Sequence, residues 1–319
     1  MDDLTTLLHD AVDGVEPTDR LASIREQTGK PSRTRWYAAG GAVLAVAAVV
    51  TGIAIAVQPS TDPGPGPSKE PTAIDSATPG TSAFAAYYLG ETPQGTRLFR
   101  EFRQEQSLPA LATALRLLTT TPTDPDYRTI WPADAFAGAE VVDGVIEVTV
   151  ADPALLEMPP VVGASDAQLS IQQVMYTLQA AVGEALPVQF AYRGNPVAHV
   201  LGVPTSEPLS QGPDLEVLAL VSISNPAEGR DVRGHFSADG VASSFEGSVP
   251  WELRNDRDRV VRSGVAQGTM EDHLTPWATG DIDVSDLPPG TYTFVARTDD
   301  PSGGEGGGPT TDTRTITIR

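Results

Sequence analysis

Cysteine is absent from all 319 residues. That excludes disulfides, thiolate nucleophiles and cysteine-based metal sites, and it excludes anchoring through a lipidated cysteine. Lysine is nearly absent too. Two lysines stand against nineteen arginines, a bias that, with abundant Ala, Gly and Pro, fits GC-rich coding and says nothing about mechanism. Positive charge as a whole is scarce: 21 Lys and Arg against 42 Asp and Glu give a net charge of −21. Such a chain repels nucleic acid and anionic polymers unless a local basic patch or a bound cation intervenes. Catalytic signatures are missing as well. The four histidines (His9, His199, His235, His273) form no metal-spaced pair, and there is no nucleophile elbow and no phosphate loop. No catalytic, cofactor-binding or metal-ligating residue is assigned, no cofactor is expected, and the chain is not read as an enzyme.

Long apolar runs are also lacking, with one exception. From Ala38 to Val57 there is no charge and no Asn, Gln or Pro. At about 1.5 Å per residue, this run spans roughly the 30 Å hydrocarbon core of a bilayer as a helix. Ala54-Ile55-Ala56 imitates a signal-peptidase site, but the 37 residues in front are too long for a signal leader and carry seven acidic side chains. The reading is an uncleaved transmembrane helix over 38–57. Arg20, Arg25, Lys30, Arg33 and Arg35 precede it, and the first basic residue after it is Lys69. By the positive-inside rule the N-terminus is cytoplasmic and the C-terminal part extracytoplasmic. The expected localisation is the cell membrane, single-pass. Ala48, Gly52 and Ala56 form a small-xxx-small stripe, either a weak self-association face or a consequence of an Ala-rich segment.

Residues 1–37, the cytoplasmic tail, show two short helical patterns around Leu4, Leu7, Leu8 and Val12 and around Leu21 and Ile24. The tail is too short for a core of its own; it reads as a juxtamembrane segment or as a docking segment for a cytoplasmic partner. Residues 58–82 are a Pro/Gly/Ser/Thr linker, which holds the exported part away from the membrane.

The exported part divides in two. Over 83–203 the order of signals is ββαββαββ: strands in "SAFAAYYLG" and "TRLFREFRQ", a helix in "SLPALATALRLLTTTP" capped by Ser107 with Pro109 in its first turn, and a hairpin in "AEVVDGVIEVTV" turning at Asp143-Gly144. A second helix comes next in "SDAQLSIQQVMYTLQAAVG", with Leu169, Val174, Leu178 and Val182 inward and Gly183 as its stop, then a hairpin turning at Gly194-Asn195. The expectation is an α+β domain with two helices on one sheet. Residues 204–214 read as a hinge. From 215 to 319 there are only short, evenly spaced strands, seven in number, which argues for an all-β immunoglobulin-like sandwich. Trp251 falls on the third strand, where such a sandwich keeps a core Trp, and Tyr292 falls at the tyrosine-corner position of the sixth. The fold class is therefore an α+β domain plus an immunoglobulin-like sandwich, preceded by one transmembrane helix.

Other charged groups have bland readings. Asp281, Asp283 and Asp286 contain the oxygen ligands of a calcium site, but Asp281 and Asp283 read as one outer strand face and Asp286 as a turn residue. Asp124 and Asp126 lie in a Pro- and Asp-rich loop and read as solvated turn residues, not an acid/base pair. Arg97 and Arg103 share strand parity and Arg100 does not, so the three do not make one patch. Trp131 and Trp277 read as buried packing.

Several stretches carry a resemblance. "EPTDRLASIREQ" is similar to the short tails before the anchor of membrane-bound anti-sigma factors. "LPALATALRLLTTTP", "AEVVDGVIEVTVAD" and "LSIQQVMYTLQAAVGEALPVQFAYRGNPV" resemble the GerMN domain of sporulation and spore germination, with "RGN" where that family often has "DG". "ISNPAEGRDVRGHFSADGVASSFEGSVPWEL" and "DLPPGTYTFVARTDDPS" resemble the immunoglobulin-like domain of bacterial spore germination proteins. GerMN proteins are often lipoproteins, and this chain departs from them in using a membrane helix. The resemblance implies a non-catalytic envelope protein whose exported modules bind another envelope protein, peptidoglycan or a neutral glycan, with no nucleic-acid partner. The alternative is a transmembrane sensor whose tail contacts a cytoplasmic partner such as a sigma-factor pathway component.

Overall fold

A computed structural model describes residues 81–106, 109–269, 271, 273–299 and 307–319. The expectations for the tail, the transmembrane helix 38–57 with its Ala48/Gly52/Ala56 stripe, His9, the cap at Ser107 and all of the linker except Thr81 and Ser82 fall outside the described residues. Among the described residues, no helix is long and apolar enough to cross a membrane.

The first domain begins with a long hairpin, β1 (Thr81–Thr92) and β2 (Gly95–Gln106), paired over its whole length. The helix α1 (Ala110–Leu118) comes next, with Pro109 at its N-cap and not inside its first turn as expected. Its C-terminal carbonyls are satisfied locally: the hydroxyls of Thr119 and Thr120 both donate to the Arg116 carbonyl, at 3.1 and 2.7 Å. The two-residue β3 (Tyr127–Arg128) pairs with β1, giving a sheet ordered β2-β1-β3.

A second sheet is ordered β4-β5-β6-β7, from β4 (Phe136–Val142), β5 (Val145–Val150), β6 (Val188–Tyr192) and β7 (Asn195–Pro196). The β4–β5 hairpin turns at Asp143-Gly144, whose φ values of 50° and 78° are those of a primed turn. The β6–β7 turn is one residue earlier than expected, at Arg193-Gly194 (φ 52° and 78°), because Tyr192 pairs with Asn195. β5 and β6 are parallel and are joined by α2 (Ala164–Val182), which stops at Gly183 in the left-handed conformation. The short β8 (His199–Val200) and β9 (Val203–Pro204) close the domain.

The expectation of two helices on one sheet is corrected here: the domain has two principal sheets with α2 between them. One face of α2 (Ile171, Val174, Met175, Leu178) packs with Ile146, Val148, Val188 and Phe190 of the second sheet. The opposite face meets the first sheet: Tyr176 lies 5.3 Å from Tyr87 between ring centroids, and Thr177 Oγ1 accepts from the Tyr87 amide at 3.1 Å. Ser170, Gln173 and Thr177 on that side are fully buried polar residues, so the sequence showed only the apolar face.

The segment after β9 stays on the first domain. Leu209 exchanges backbone hydrogen bonds with Val188, and Gly212 donates to Gln172 Oε1 at 2.9 Å. Where a strand was expected to begin, Asp214–Val217 forms one helical turn, α3. Val217 and Leu218 are buried with Leu89, Leu98 and Tyr176 of the first domain.

Among the described residues the second domain has eight strands: β10 (Val221–Asn225), β11 (Arg230–Val232), β12 (His235–Ala242), β13 (Ser248–Asn255), β14 (Val260–Gln267), β15 (Thr275–Asp283), β16 (Gly290–Arg297) and β17 (Thr311–Ile318). One expected strand is split at Gly234 into β11 and β12. β10-β12-β15 form one layer and β14-β13-β16-β17-β11 the other, and the strand ladder passes from one to the other at the pair Gln267–Ala278. The layers face each other across Phe236 and Phe294, whose rings meet edge to face at 5.9 Å. Trp277 is 2% exposed at the centre of this core. Trp251 is half-buried, stacked on Phe294 at 5.8 Å and lying over Gly264. The Tyr292 hydroxyl donates to the Pro288 carbonyl at 2.9 Å, the expected tyrosine corner. Both domains fall within one compact unit.

Candidate functional site

Two places concentrate polar chemistry. The first arises from the way the second domain begins. β10 runs in one layer as far as the cis bond Asn225–Pro226, and β11 then joins the other layer as the parallel neighbour of β17. This crossing leaves a cleft of about 490 Å³, lined by Asn225, Arg230, Arg233, His235, Ser237 and Asp281 among others. Arg233, His235 and Ser237 are exposed.

Several of the charges there are already engaged. Asp231 pairs with Arg319 Nε at 2.7 Å. Asn225 Nδ2 donates to both carboxylate oxygens of Asp239, at 3.2 and 3.0 Å. Burial raises the proton affinity of Asp239, and that hydrogen bond opposes the shift. His235 Nδ1 is 3.8 Å from Asp283, longer than a hydrogen bond. The Asp283 carboxylate is held below its usual range, first by the Ser285 hydroxyl at 2.6 Å and then by the Ser285 amide. Asp283 therefore orients Ser285 and not the imidazole. Arg233 has no ion pair among the described residues. The cleft thus presents a guanidinium, an imidazole, a hydroxyl and a carboxylate to solvent, groups that bind a polar ligand.

The second place is the junction of the two domains. Arg314 of β17 reaches into the first domain with its side chain 2% exposed. Its Nη1 donates to Asp124 Oδ2 (2.5 Å), the Tyr127 hydroxyl (2.9 Å) and Asp312 Oδ1 (3.0 Å), and Nη2 donates to the Ile223 carbonyl (2.8 Å). Asp312 also accepts from the Tyr127 hydroxyl and the Ile223 amide, both at 2.6 Å. Around this centre, Arg100 donates from its amide to Ser222 Oγ and from Nη2 to Ser224 Oγ, and Ala219 donates to the Leu98 carbonyl. Burial raises the Asp124 carboxyl to about 7 against the opposing pull of Arg314.

The reading of Asp124 as a solvated turn residue is overturned, since it is 2% exposed and paired. Asp126, its neighbour, accepts from the Thr313 hydroxyl at 2.8 Å. Nothing local in "TPTDPDYRT" signals this, because the partner lies 190 residues away. Arg97, Arg100 and Arg103 indeed make no patch: Arg97 donates to the Thr96 carbonyl, Arg100 to the second domain and Arg103 to Glu101. Asp281, Asp283 and Asp286 do not converge either, with Asp283 held by Ser285 and Asp286 paired with Arg262. Among the described residues no cluster of three His, Cys, Asp or Glu is placed to hold a metal. Trp131 and Trp277 are buried, at 3% and 2% exposure.

The fold and the junction define a two-domain protein, an α+β module joined to an immunoglobulin-like sandwich. Residues 85–198 match the family model for "Sporulation and spore germination", and residues 220–305 match that for the "Immunoglobulin-like domain of bacterial spore germination". The two matched stretches follow one another along the chain, one in each domain. Among solved structures it is similar to the tandem GerMN domains of the sporulation protein GerM from Bacillus subtilis, at 17% identity and a TM-score of 0.34 over 65% of this chain and 63% of that one. That match spans less than two thirds of the GerM structure. It is also similar to a putative lipoprotein from Clostridium perfringens, at 14% identity and TM-score 0.27 over 43% of this chain and 93% of the other. The third is CopC from Methylosinus trichosporium OB3b, at 14% and TM-score 0.22 over 31% and 92%. TM-scores of this size do not establish a common fold. Curated proteins give no match.

Proposed function

We propose that this protein is a membrane-anchored, non-catalytic component of the cell envelope whose two exported domains bind another envelope protein or a wall glycan. The observation that carries this reading is the tandem of two germination-type domains in one chain. Two further features support it. The uncharged run 38–57 with its basic N-terminal flank suits an anchor that leaves the C-terminal domains outside the membrane. The cleft at the β10–β11 crossing offers polar and charged groups without a nucleophile held against a base. With 35 acidic against 16 basic residues after position 57, the exported part disfavours anionic wall polymers and suits a protein or an uncharged glycan.

The test uses full-length protein in detergent micelles, sedimented with insoluble peptidoglycan and, in parallel, crosslinked in intact cells. The reading expects retention on the wall material or one dominant envelope adduct, without release of soluble muropeptides. It also expects Arg233→Ala to weaken the interaction about tenfold, the worth of one charge-assisted hydrogen bond. Muropeptide release by the purified protein would contradict the non-catalytic reading. Recovery in the soluble fraction of cells would contradict the anchor.

A further inference from the structure

We propose that the junction between the two domains is a proton-controlled clasp, closed while Asp124 and Asp312 share one proton and loosened when both are ionised. The argument begins with the charge count in a buried space. Asp124, Asp312 and Arg314 are 2%, 3% and 2% exposed, and both carboxyl groups take a hydrogen bond from the same guanidinium nitrogen. One guanidinium cannot neutralise two carboxylates away from water, and an uncompensated buried charge is costly enough that the group takes up a proton instead.

Hydrogen bonding decides which carboxyl holds it. Asp312 accepts from four donors: Tyr127 Oη, the Ile223 amide, the Thr313 amide and Arg314 Nη1. Asp124 accepts from two, Arg314 Nη1 and the Asp126 amide. The anion is better satisfied at Asp312, so the proton resides on Asp124. Burial raises both carboxyls, Asp124 to about 7, and the two titrate as a pair.

The surroundings add no further cation to the pair. From β2, Glu101 accepts the amides of Thr123 and Asp124, and the nearby Arg103 is bonded to that same carboxylate. From the loop before β3 come Asp126 and Tyr127. From the β10–β11 connection, Glu228 accepts the Thr315 amide at 2.7 Å. Arg100 is spent on Ser224. A pocket of about 30 Å³ bordered by Glu101, Thr123, Glu228 and Arg314 has room for a water beside the clasp.

The sign comes from linkage. Asp124 binds its proton more tightly when docked than when exposed, so docking takes up a proton. The resulting advantage is complete below the usual carboxylate range and is lost as pH rises to about 7.

Hydrogen exchange on the full chain in micelles, corrected for the intrinsic rate, reads this directly. The Ile223 and Thr313 amides, both donors to Asp312, should lose protection by up to about tenfold per pH unit between roughly pH 5 and 7 and then level off. The Phe294 amide in the sandwich core should change less. Asp124→Asn, which keeps an acceptor for Arg314 and cannot ionise, should hold junction protection at its acid value throughout. Should that variant fail to fold, the carboxyl-carbon titration of Asp124 in the unaltered protein decides, with a midpoint near 7 expected. Junction protection that is constant or rises with pH, or a midpoint in the ordinary range near 4, would overturn the proposal.

Discussion

Arg314 and Asp124 meet at 2.5 Å across 190 residues of chain, each with a side chain 2% exposed, and this contact joins the last strand of one domain to a loop of the other. Removing the guanidinium leaves the buried Asp312 carboxylate without its cation, a change that typically costs about 3–5 kcal/mol. Arg314→Met should therefore separate a single melting transition into two, the sandwich and the α+β domain unfolding at different temperatures. Differential scanning calorimetry checks this. One undivided transition at an unchanged temperature would mean that the pair contributes nothing to the coupling.

Gly240 and Ser222 make a second, purely steric tie between neighbouring strands. A β-carbon at Gly240 would stand 2.0 Å from the Ser222 carbonyl oxygen and 2.9 Å from the Trp277 ring. The carbonyl belongs to paired backbone and cannot give way cheaply, so Gly240→Ala should destabilise by about 3 kcal/mol, the upper part of the overpacking range. It should also disturb the Ser222 Oγ contact to Arg100. Gly138→Ala, where nothing lies within 4 Å of the added carbon, is the control and should stay within about 0.5 kcal/mol. Chemical denaturation of the two variants compares them.

Features decided by a few consecutive residues were legible in the sequence. Asp143-Gly144 is the turn it reads as, Gly183 ends its helix in the left-handed conformation, and Tyr292 makes the corner its motif implies. The Arg193-Gly194 turn lies one residue from its expected place because Gly-Asn and Arg-Gly both fit a tight hairpin and only the strand register chooses. Features that depend on residues distant in the chain were not legible. The second buried face of α2 is built from Ser170, Gln173, Thr177 and Tyr176, which periodicity counts as polar. Asp124 looks like any turn aspartate until Arg314 is brought to it. The cleft likewise arises from a strand changing layers at Asn225–Pro226, and neither Arg233 nor His235 carries a motif.

The hydroxyl of Tyr292 serves one bond, to Pro288. Tyr292→Phe keeps the ring in the core and should cost about 0.5–1.5 kcal/mol, the net worth of one hydrogen bond. The loss should appear as a lower denaturant midpoint with an unchanged slope. A slope change would place the effect in compactness and not in the bond.

The two tryptophans of the sandwich should differ. Trp277 is 2% exposed and Trp251 half-buried, so Trp277→Ala should cost about 3–5 kcal/mol and Trp251→Ala clearly less. The order of the two midpoints in the same denaturation experiment is the check, and the reverse order would return Trp251 to the centre of the core.

Binding within the envelope by the exported domains is best probed at Ser237 in the cleft. A photoreactive amino acid placed there in the full-length protein, with illumination of intact cells, should give one dominant adduct with an envelope component. The same substitution at Gln189, which is 9% exposed inside the first domain, should give none. Adducts confined to cytoplasmic proteins, or none above the Gln189 control, would contradict a binding role in the envelope.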